Sequence, residues 1–240
     1  MSNSKGRIKV FGVYSLNKPS LIRHLVRSWD ESTQWEVEQI WLAVGEGEPE
    51  LDLQAYTRKT YPLEKGRFYK WNLANEWLWK VGHFDYIFLS DDDILLPEGF
   101  VDRYMEIVLE HRFDLSQPAH SHDSFIDHPF TEKIDGIKAR LTRYVEIGPV
   151  VCFSRRAFEL VFPFPEFPPS GWGFDFVWPL IMEKEGYKMG IIDHLPCVHN
   201  LRIPALHYAH SKPGKDMESF LSASPHLKKE EAFQILEVYV

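Results

Sequence analysis

Cysteine is scarce. Only Cys152 and Cys197 occur in 240 residues, each inside an apolar run. Both are expected to be buried free thiols, which argues against a disulfide framework or a thiolate zinc site. Long hydrophobic runs are missing too. The most apolar stretch, Pro149 to Phe153, is strand-sized, far short of the ~20 residues of a membrane span. The N-terminal MSNSKGRIKV has no apolar signal core. A soluble, cytoplasmic protein is the expectation. Positive charge is in deficit, with 27 Lys and Arg against 35 Asp and Glu for a net −8. That balance argues against general nucleic-acid binding, yet leaves room for one local basic site facing a phosphate ester. No dinucleotide-type glycine fingerprint follows the first apolar strand, which disfavours a dehydrogenase.

What is present is a globular composition. Hydrophobic residues make up 44% and charged residues 26%, enough at this length for a sizeable core. Apolar runs alternate between strand and helix character. Ile8–Tyr14 reads as a buried strand, Leu21 to Trp29 carries helical spacing after Pro19, and Val37–Val44 is a second strand. Trp71–Val81 reads as helix, Tyr86–Leu89 as strand, Gly99–Arg112 as amphipathic helix and Pro118–Asp135 as a His- and Asp-rich loop. Val145–Phe153 is strand-like and Arg155–Val161 a short helix; a further helix opens at Gly171–Asp175, a last strand covers Lys188–Asp193, and a helix is expected over Lys228–Val238. Such alternation predicts an α/β fold: an open, mostly parallel sheet flanked by helices, in a single domain over 1–240. Ligands of such sheets bind beyond the carboxyl ends of the strands.

Three signals carry chemistry. First, the strand DYIFLS runs directly into Asp91, Asp92 and Asp93. Adjacent carboxylates repel unless a cation sits among them, and alternate residues of an extended segment point the same way. Asp91 and Asp93 are therefore expected to share one side and suit Mg²⁺ or Mn²⁺ carrying phosphate oxygens. The plain alternative is a solvated turn capping the helix after Pro97. Second, Gly171-Trp172-Gly173-Phe174-Asp175 offers close backbone approach, a flat indole face for a sugar ring, and a carboxylate at a helix start. Asp175 is read as a general base or as a simple cap. Third, His199 lies just past the last core strand, as a metal ligand or as an ordinary loop histidine; His194, His207 and His210 are its neighbours. The cluster His120, His122, Asp123, Asp127 and His128 lacks the second ligand pair of a zinc site and is better read as a cleft lining. Arg67, Lys70, Arg140 and Arg143 are candidate phosphate partners or solvated charges. Glu146 sits oddly among strand formers and is expected to face a pocket.

In order along the chain stand DYIFLSDDD, LSQPA (115–119), YVEIGPVVCFSRRAF (144–158), GWGFD (171–175) and KMGIIDHLPCVHNLRIPAL (188–206). Over roughly residues 60–206 this pattern resembles a family described as a domain of unknown function, and DYIFLSDDD resembles the strand and Asp-x-Asp motif of GT-A-type glycosyltransferases. The resemblance implies a Rossmann-like GT-A fold, with a nucleotide-sugar-binding half over about 1–93, an acceptor half over about 94–206 and a tail over 207–240. It implies a metal-dependent transferase of polysaccharide biosynthesis, using Mn²⁺ or Mg²⁺, a nucleotide-sugar donor (UDP-linked by default) and a glycan or other hydroxyl acceptor. Asp91, Asp93 and His199 would hold the metal. Phe11, Gly12, Val13, Tyr14, Lys70, Asn72, Asp91, Asp92 and Arg143 would face the donor. Gln117, His120, Glu146, Gly171, Trp172 and Gly173 would face the acceptor. The GWG block resembles the acceptor segment of inverting galactosyltransferases, in which two acids follow; here the pair is Asp175 and Phe176, so one acid is missing. Asp175 is then the base of an inverting reaction. A sugar nucleotidyltransferase and a non-catalytic carbohydrate-binding protein are the alternatives; the first usually needs a glycine- and basic-rich loop that Ser15–Pro19 lacks.

Overall fold

The computed structural model describes residues 5–62, 70–80, 82–202 and 212–240. In chain order the elements are β1 (Gly6–Ser15), α1 (Ile22–Asp30), β2 (Trp35–Val44), β3 (Thr57–Tyr61), α2 (Lys70–Leu78), β4 (Tyr86–Ser90), α3 (Phe100–His111) and β5 (Leu115–His120). Then follow β6 (Ala139–Thr142), β7 (Val150–Ser154), α4 (Arg155–Val161), α5 (Phe174–Lys184), β8 (Met189–Cys197), α6 (Lys212–Ala223), α7 (Lys229–Ala232) and β9 (Ile235–Tyr239). The strands form one nine-stranded sheet in the order β3-β2-β1-β4-β7-β5-β8-β6-β9. The pairs β1–β2, β2–β3, β1–β4 and β5–β8 are parallel, and those made by β7 and β6 on the remaining edges are antiparallel. Following the pairings across, only β6 and β7 run against the other strands. No helix among the described residues is long and apolar enough to cross a membrane.

Period-2 alternation distributes side chains to two cores. On β1, Ile8, Val10 and Tyr14 join α1 and α3 on one face, while Phe11 joins α2, α4 and α5 on the other. Phe88 of β4 faces α1, where its ring lies 4.9 Å from Trp29, and Ile87 and Leu89 face the opposite core. β7 repeats the split, with Cys152 on one side and Val151 and Phe153 on the other. Cys152 and Cys197 are both free and buried, and burial pushes the Cys197 thiol up to about 12. They behave as small apolar residues.

The sequence expectations depart from the structure at several places, among them the helix α6 in the stretch expected to be a polar tail. The strand over Val145–Phe153 begins only at Val150. The loop assigned to Pro118–Asp135 loses its first residues to β5, which runs buried through Pro118. That proline pairs in register with Ile192 of β8, while β7 pairs only with Leu115 and Ser116. The strands β3 and β6 lie in segments to which no strand was assigned. The helix expected over Lys228–Val238 stops at Ala232, and Ile235–Tyr239 pairs as a strand with β6.

Candidate functional site

A cavity of about 490 Å³ opens where β4, β5 and β8 end and the segment leading into β7 begins. Because β4, β5 and β8 run the same way, their last residues arrive together: Asp91 after β4, His120 at the end of β5, His199 after β8. All three line the cavity, with Glu146 and Gly148 from the approach to β7, Lys70 from α2, and Trp172, Gly173 and Asp175 from the start of α5. This is the carboxyl-end location at which open α/β sheets bind ligands.

Asp175 is 5% exposed and sits in the first turn of α5, whose cap Gly173 has φ 98°, a backbone state natural to glycine. The Tyr144 hydroxyl donates to Asp175 Oδ2 at 2.8 Å. The second oxygen, Oδ1, is buried with no hydrogen-bond partner among the described residues. Burial pushes the Asp175 carboxyl up to about 7; the Tyr144 bond opposes this and the Glu146 charge adds to it. A buried polar atom left unpaired is costly, so Oδ1 marks a place where a ligand hydroxyl fits. His120 repeats the pattern at 2% exposure. Its Nε2 lies 3.3 Å from Glu146 Oε2 without hydrogen-bond alignment, and neither ring nitrogen is bonded. Glu146 is held from behind, where its N–H donates to Gln117 Oε1 at 2.5 Å and its Oε2 lies 3.3 Å from Thr131 Oγ1.

The acid triplet divides its attention. Asp91 Oδ1 accepts from Lys70 Nζ at 2.8 Å at the cavity wall. Asp92 turns inward. Its Oδ2 accepts the Ser15 N–H at 2.9 Å and its carbonyl accepts the Leu21 N–H at 2.7 Å, which ties the end of β4 to the end of β1 and the start of α1. Arg202 bridges Asp92 and Asp93, with Nε 2.6 Å from Asp93 Oδ2 and Nη2 on Asp92 Oδ1. His199 Nε2 lies 3.3 Å from the same Asp93 oxygen. Burial alone raises Asp93, but the His199 and Arg202 contacts outweigh it and hold the carboxyl well below its usual value. At Asp92 burial prevails over the attraction of Arg202 and the carboxyl rises.

Asp91 and Asp93 both act on His199, but they engage different cations: Lys70 holds Asp91, while Asp93 shares Arg202 with Asp92. Among the described residues no three His, Cys, Asp or Glu side chains are grouped to hold a metal. Asp91 Oδ1 faces Lys70, and Arg202 and His199 crowd the same Oδ2 of Asp93. As placed, Asp91, Asp93 and His199 do not fit the shell of a divalent ion.

The other expected donor contacts lie elsewhere. Phe11 is core. A Cβ on Gly12 would meet Trp41 at 2.1 Å, so that glycine serves the contact between β1 and β2. Val13 packs against the α2-side core, and the Tyr14 hydroxyl bonds Thr57 Oγ1 at 2.8 Å. Asn72 is exposed outside the cavity lining. Arg143 grips Glu183 through Nε and Nη2 at 2.5 and 2.9 Å. Arg140 is buried against Asp193. Of the acceptor group, Gln117 acts from behind Glu146. Gly171 (φ 77°) is packed on Trp71, whose Nε1 a Cβ would meet at 2.2 Å, so its room is filled by protein. His128 lines the cavity, while His122 pairs with Glu132 and Asp135 at 2.8 and 3.4 Å, and His194 lies 3.5 Å from Arg103. Arg67, His207 and His210 lie outside the described residues. Arg202, Tyr144 and Thr131 went unrecognised. The only signal for Arg202 was its position three residues after His199.

A family profile described as "Protein of unknown function (DUF707)" matches residues 65–158, a span that holds the acid triplet, His120 and Glu146 and stops short of Asp175 and His199. No curated protein matches in sequence. Among solved structures, S. aureus TarS residues 1–349 superpose with a TM-score of 0.53 at 11% identity, over 81% of this chain and 60% of that one. The longer S. aureus TarS structure gives 0.56 at 11% identity, over 84% and 38%. GalNAc-T7, solved with UDP, GalNAc and Mn²⁺, gives 0.55 at 11% identity, over 89% and 47%. The chain thus spans between 38% and 60% of the structures it resembles. At such identity the likeness is one of fold, and the fold is an α/β fold of the GT-A kind.

Proposed function

We propose that the chain is a glycosyltransferase that moves a sugar from a nucleotide-sugar donor to a hydroxyl of a glycan acceptor. The observation that supports it best is Asp175. It is a buried carboxyl whose proton affinity is raised to about 7, with one oxygen unpartnered in a cavity that also holds an indole face and a lysine. A general base works best when its proton affinity lies near the working pH. UDP is the default donor nucleotide, in keeping with the UDP bound to GalNAc-T7.

In this mechanism Trp172 supplies a flat face for the acceptor ring, and His120 and Glu146 hold neighbouring hydroxyls. Asp175 Oδ1 takes the proton as the acceptor oxygen bonds to the anomeric carbon. The bond from that carbon to the diphosphate breaks from the opposite side, so the configuration inverts. Lys70, held at Asp91, offers positive charge to the departing diphosphate.

A thermal-shift and calorimetric screen of nucleoside diphosphates and nucleotide sugars, each with Mn²⁺, Mg²⁺ or EDTA, tests this. Native-state ligands raise apparent stability with affinity. Stabilisation by one nucleotide, increased by one of its sugar derivatives, is expected. Stabilisation by free glycans with no response to any nucleotide overturns transfer in favour of a carbohydrate-binding protein.

Glu146→Gln gives a sharper check. Removing that charge lowers the proton affinity of Asp175, although burial, the larger cause, stays. The acid limb of the pH–rate profile should move to lower pH, so that the rate at pH 6 relative to pH 8 rises. An unmoved limb would show that Asp175 is not the titrating base.

A further inference from the structure

Tyr144 is fully buried and lies behind the cavity wall rather than on it. Its ring is boxed in by Phe233 at 4.7 Å, Phe176 at 5.3 Å, His128 at 5.6 Å and Phe130 at 6.1 Å. Its backbone is pinned near the end of β6, where the Thr142 hydroxyl donates to the Tyr144 carbonyl at 2.7 Å. A ring enclosed in this way keeps one orientation. Phenylalanine would fill the same space without burying a polar group. The hydroxyl instead donates to Asp175 Oδ2 at 2.8 Å. Burial, with the adjacent Asp175 charge, makes the hydroxyl hold its proton far more tightly than usual, so it stays a donor at every working pH. The next residue back, Arg143, grips Glu183 about two turns further along α5. Two consecutive residues therefore hold α5 near both of its ends.

We propose that Tyr144 is the positioning residue of Asp175: it occupies Oδ2 from behind, turns Oδ1 into the cavity and so fixes where a proton is taken from the acceptor hydroxyl. The acceptor in that sentence rests on the transferase function proposed above; the hold on the carboxylate does not. A hydroxyl donates more strongly to a carboxylate than to a carboxylic acid, so Tyr144 favours the ionised base against the burial that opposes it, while Glu146, from the approach to β7, works the other way. Asp127 is the further acid whose charge reaches Tyr144. His120, His128, His199 and the Lys70–Asp91 pair complete the titratable groups of the wall.

Tyr144→Phe keeps the ring and removes the donor. The acid limb of its pH–rate profile should move up by about one pH unit, opposite in sign to Glu146→Gln. On the alkaline plateau kcat should fall about tenfold or more, with the acceptor KM little changed. A second readout needs no turnover. Denaturant midpoints at pH 5 and pH 9 give the cost of Tyr144→Phe in the natural chain and in the Asp175→Asn background. With the donor gone, the folded-state proton affinity of Asp175 rises further, so the cost in the natural chain should be larger at pH 9 than at pH 5. Beside the uncharged amide it should be the same at both. Equal costs at the two pH values in the natural chain, or an unmoved acid limb, overturn the positioning. Circular dichroism confirms folding. If Tyr144→Phe does not fold, the Tyr144 hydroxyl proton of the parent decides: bonded to Asp175 it exchanges slowly and its NMR resonance follows the Asp175 titration, and a rapidly exchanging hydroxyl overturns the proposal. If no nucleotide sugar is turned over, the transferase function fails, and the pH dependence of the midpoints still decides whether Tyr144 holds the Asp175 carboxylate.

Discussion

Asp175→Asn is expected to lose about 10²–10⁴-fold in transfer rate, the usual contribution of a positioned general base, and to become more stable at alkaline pH. The two effects have one cause. Asp175 is buried, and its proton affinity in the folded chain lies near 7, against an ordinary 3.8. The folded state therefore binds that proton more tightly than the unfolded chain. Stability from this group is fully present below about pH 4 and is lost as pH rises through about 7. Asparagine keeps an acceptor for the Tyr144 hydroxyl and carries no charge at any pH. On the scale of about 1.4 kcal/mol per pKa unit, its advantage at pH 8 should be on the order of 2–4 kcal/mol and should vanish near pH 4. Denaturant unfolding at pH 4 and pH 8 measures the second effect, and donor turnover the first. A variant that is inactive yet no more stable at pH 8 would mean that Asp175 is ionised without penalty in the parent.

Asp193→Ala should be the most destabilising single change, at about 3–5 kcal/mol, as for other buried ion pairs broken from one side. Asp193 is fully buried on β8. Its Oδ2 accepts from Arg140 Nε at 3.0 Å and its Oδ1 from the Ile134 N–H at 2.8 Å. The rest of the Arg140 head donates to the carbonyls of Phe130 and Glu132 at 2.9 and 2.8 Å. The pair thus fastens the turn that carries His128 and Thr131 to the sheet behind the cavity. Without Asp193 a buried guanidinium is left uncompensated and the turn loses its anchor. The double change Arg140→Met, Asp193→Leu should recover part of the loss, because an apolar pair removes the charge penalty but not the need of those carbonyls. Denaturant midpoints of the three variants decide it.

Much of the site was legible because strand ends are easy to read. An apolar run that stops at an acid, as at Leu89-Ser90-Asp91, or just before a histidine, as at Val198-His199, places that side chain at a sheet edge whatever the remaining topology. Local patterns say less about which charges meet. Arg202 is 109 residues from Asp93, and nothing near it in sequence separates it from a surface arginine. The same limit applies to Arg140 and Arg143, whose partners are set by tertiary packing. The edge strand β9 was misread because Lys228 to Val238 has the Glu, Lys and Ala content of a helix. The exposed edge of β6 offered its last residues a ladder instead, and such tertiary pairing overrides propensity. β5 was missed because proline seldom sits inside a sheet, yet Pro118 lies beyond the stretch that pairs with β7.

The strand order also sets a timetable for synthesis. The four strands β3, β2, β1 and β4 are complete by residue 90 and are mutual neighbours, so they can pair while the rest is still being translated. β6 is made at residues 139–142, but its neighbours in the sheet are β8, at 189–197, and β9, at 235–239. For roughly fifty residues of translation β6 has no native partner on either side, and Arg140 within it waits equally long for Asp193. A nascent chain carries such an unpaired strand as an aggregation hazard. The half of the sheet that completes the cavity should therefore be the half most dependent on chaperones and most readily lost to stalled or truncated products.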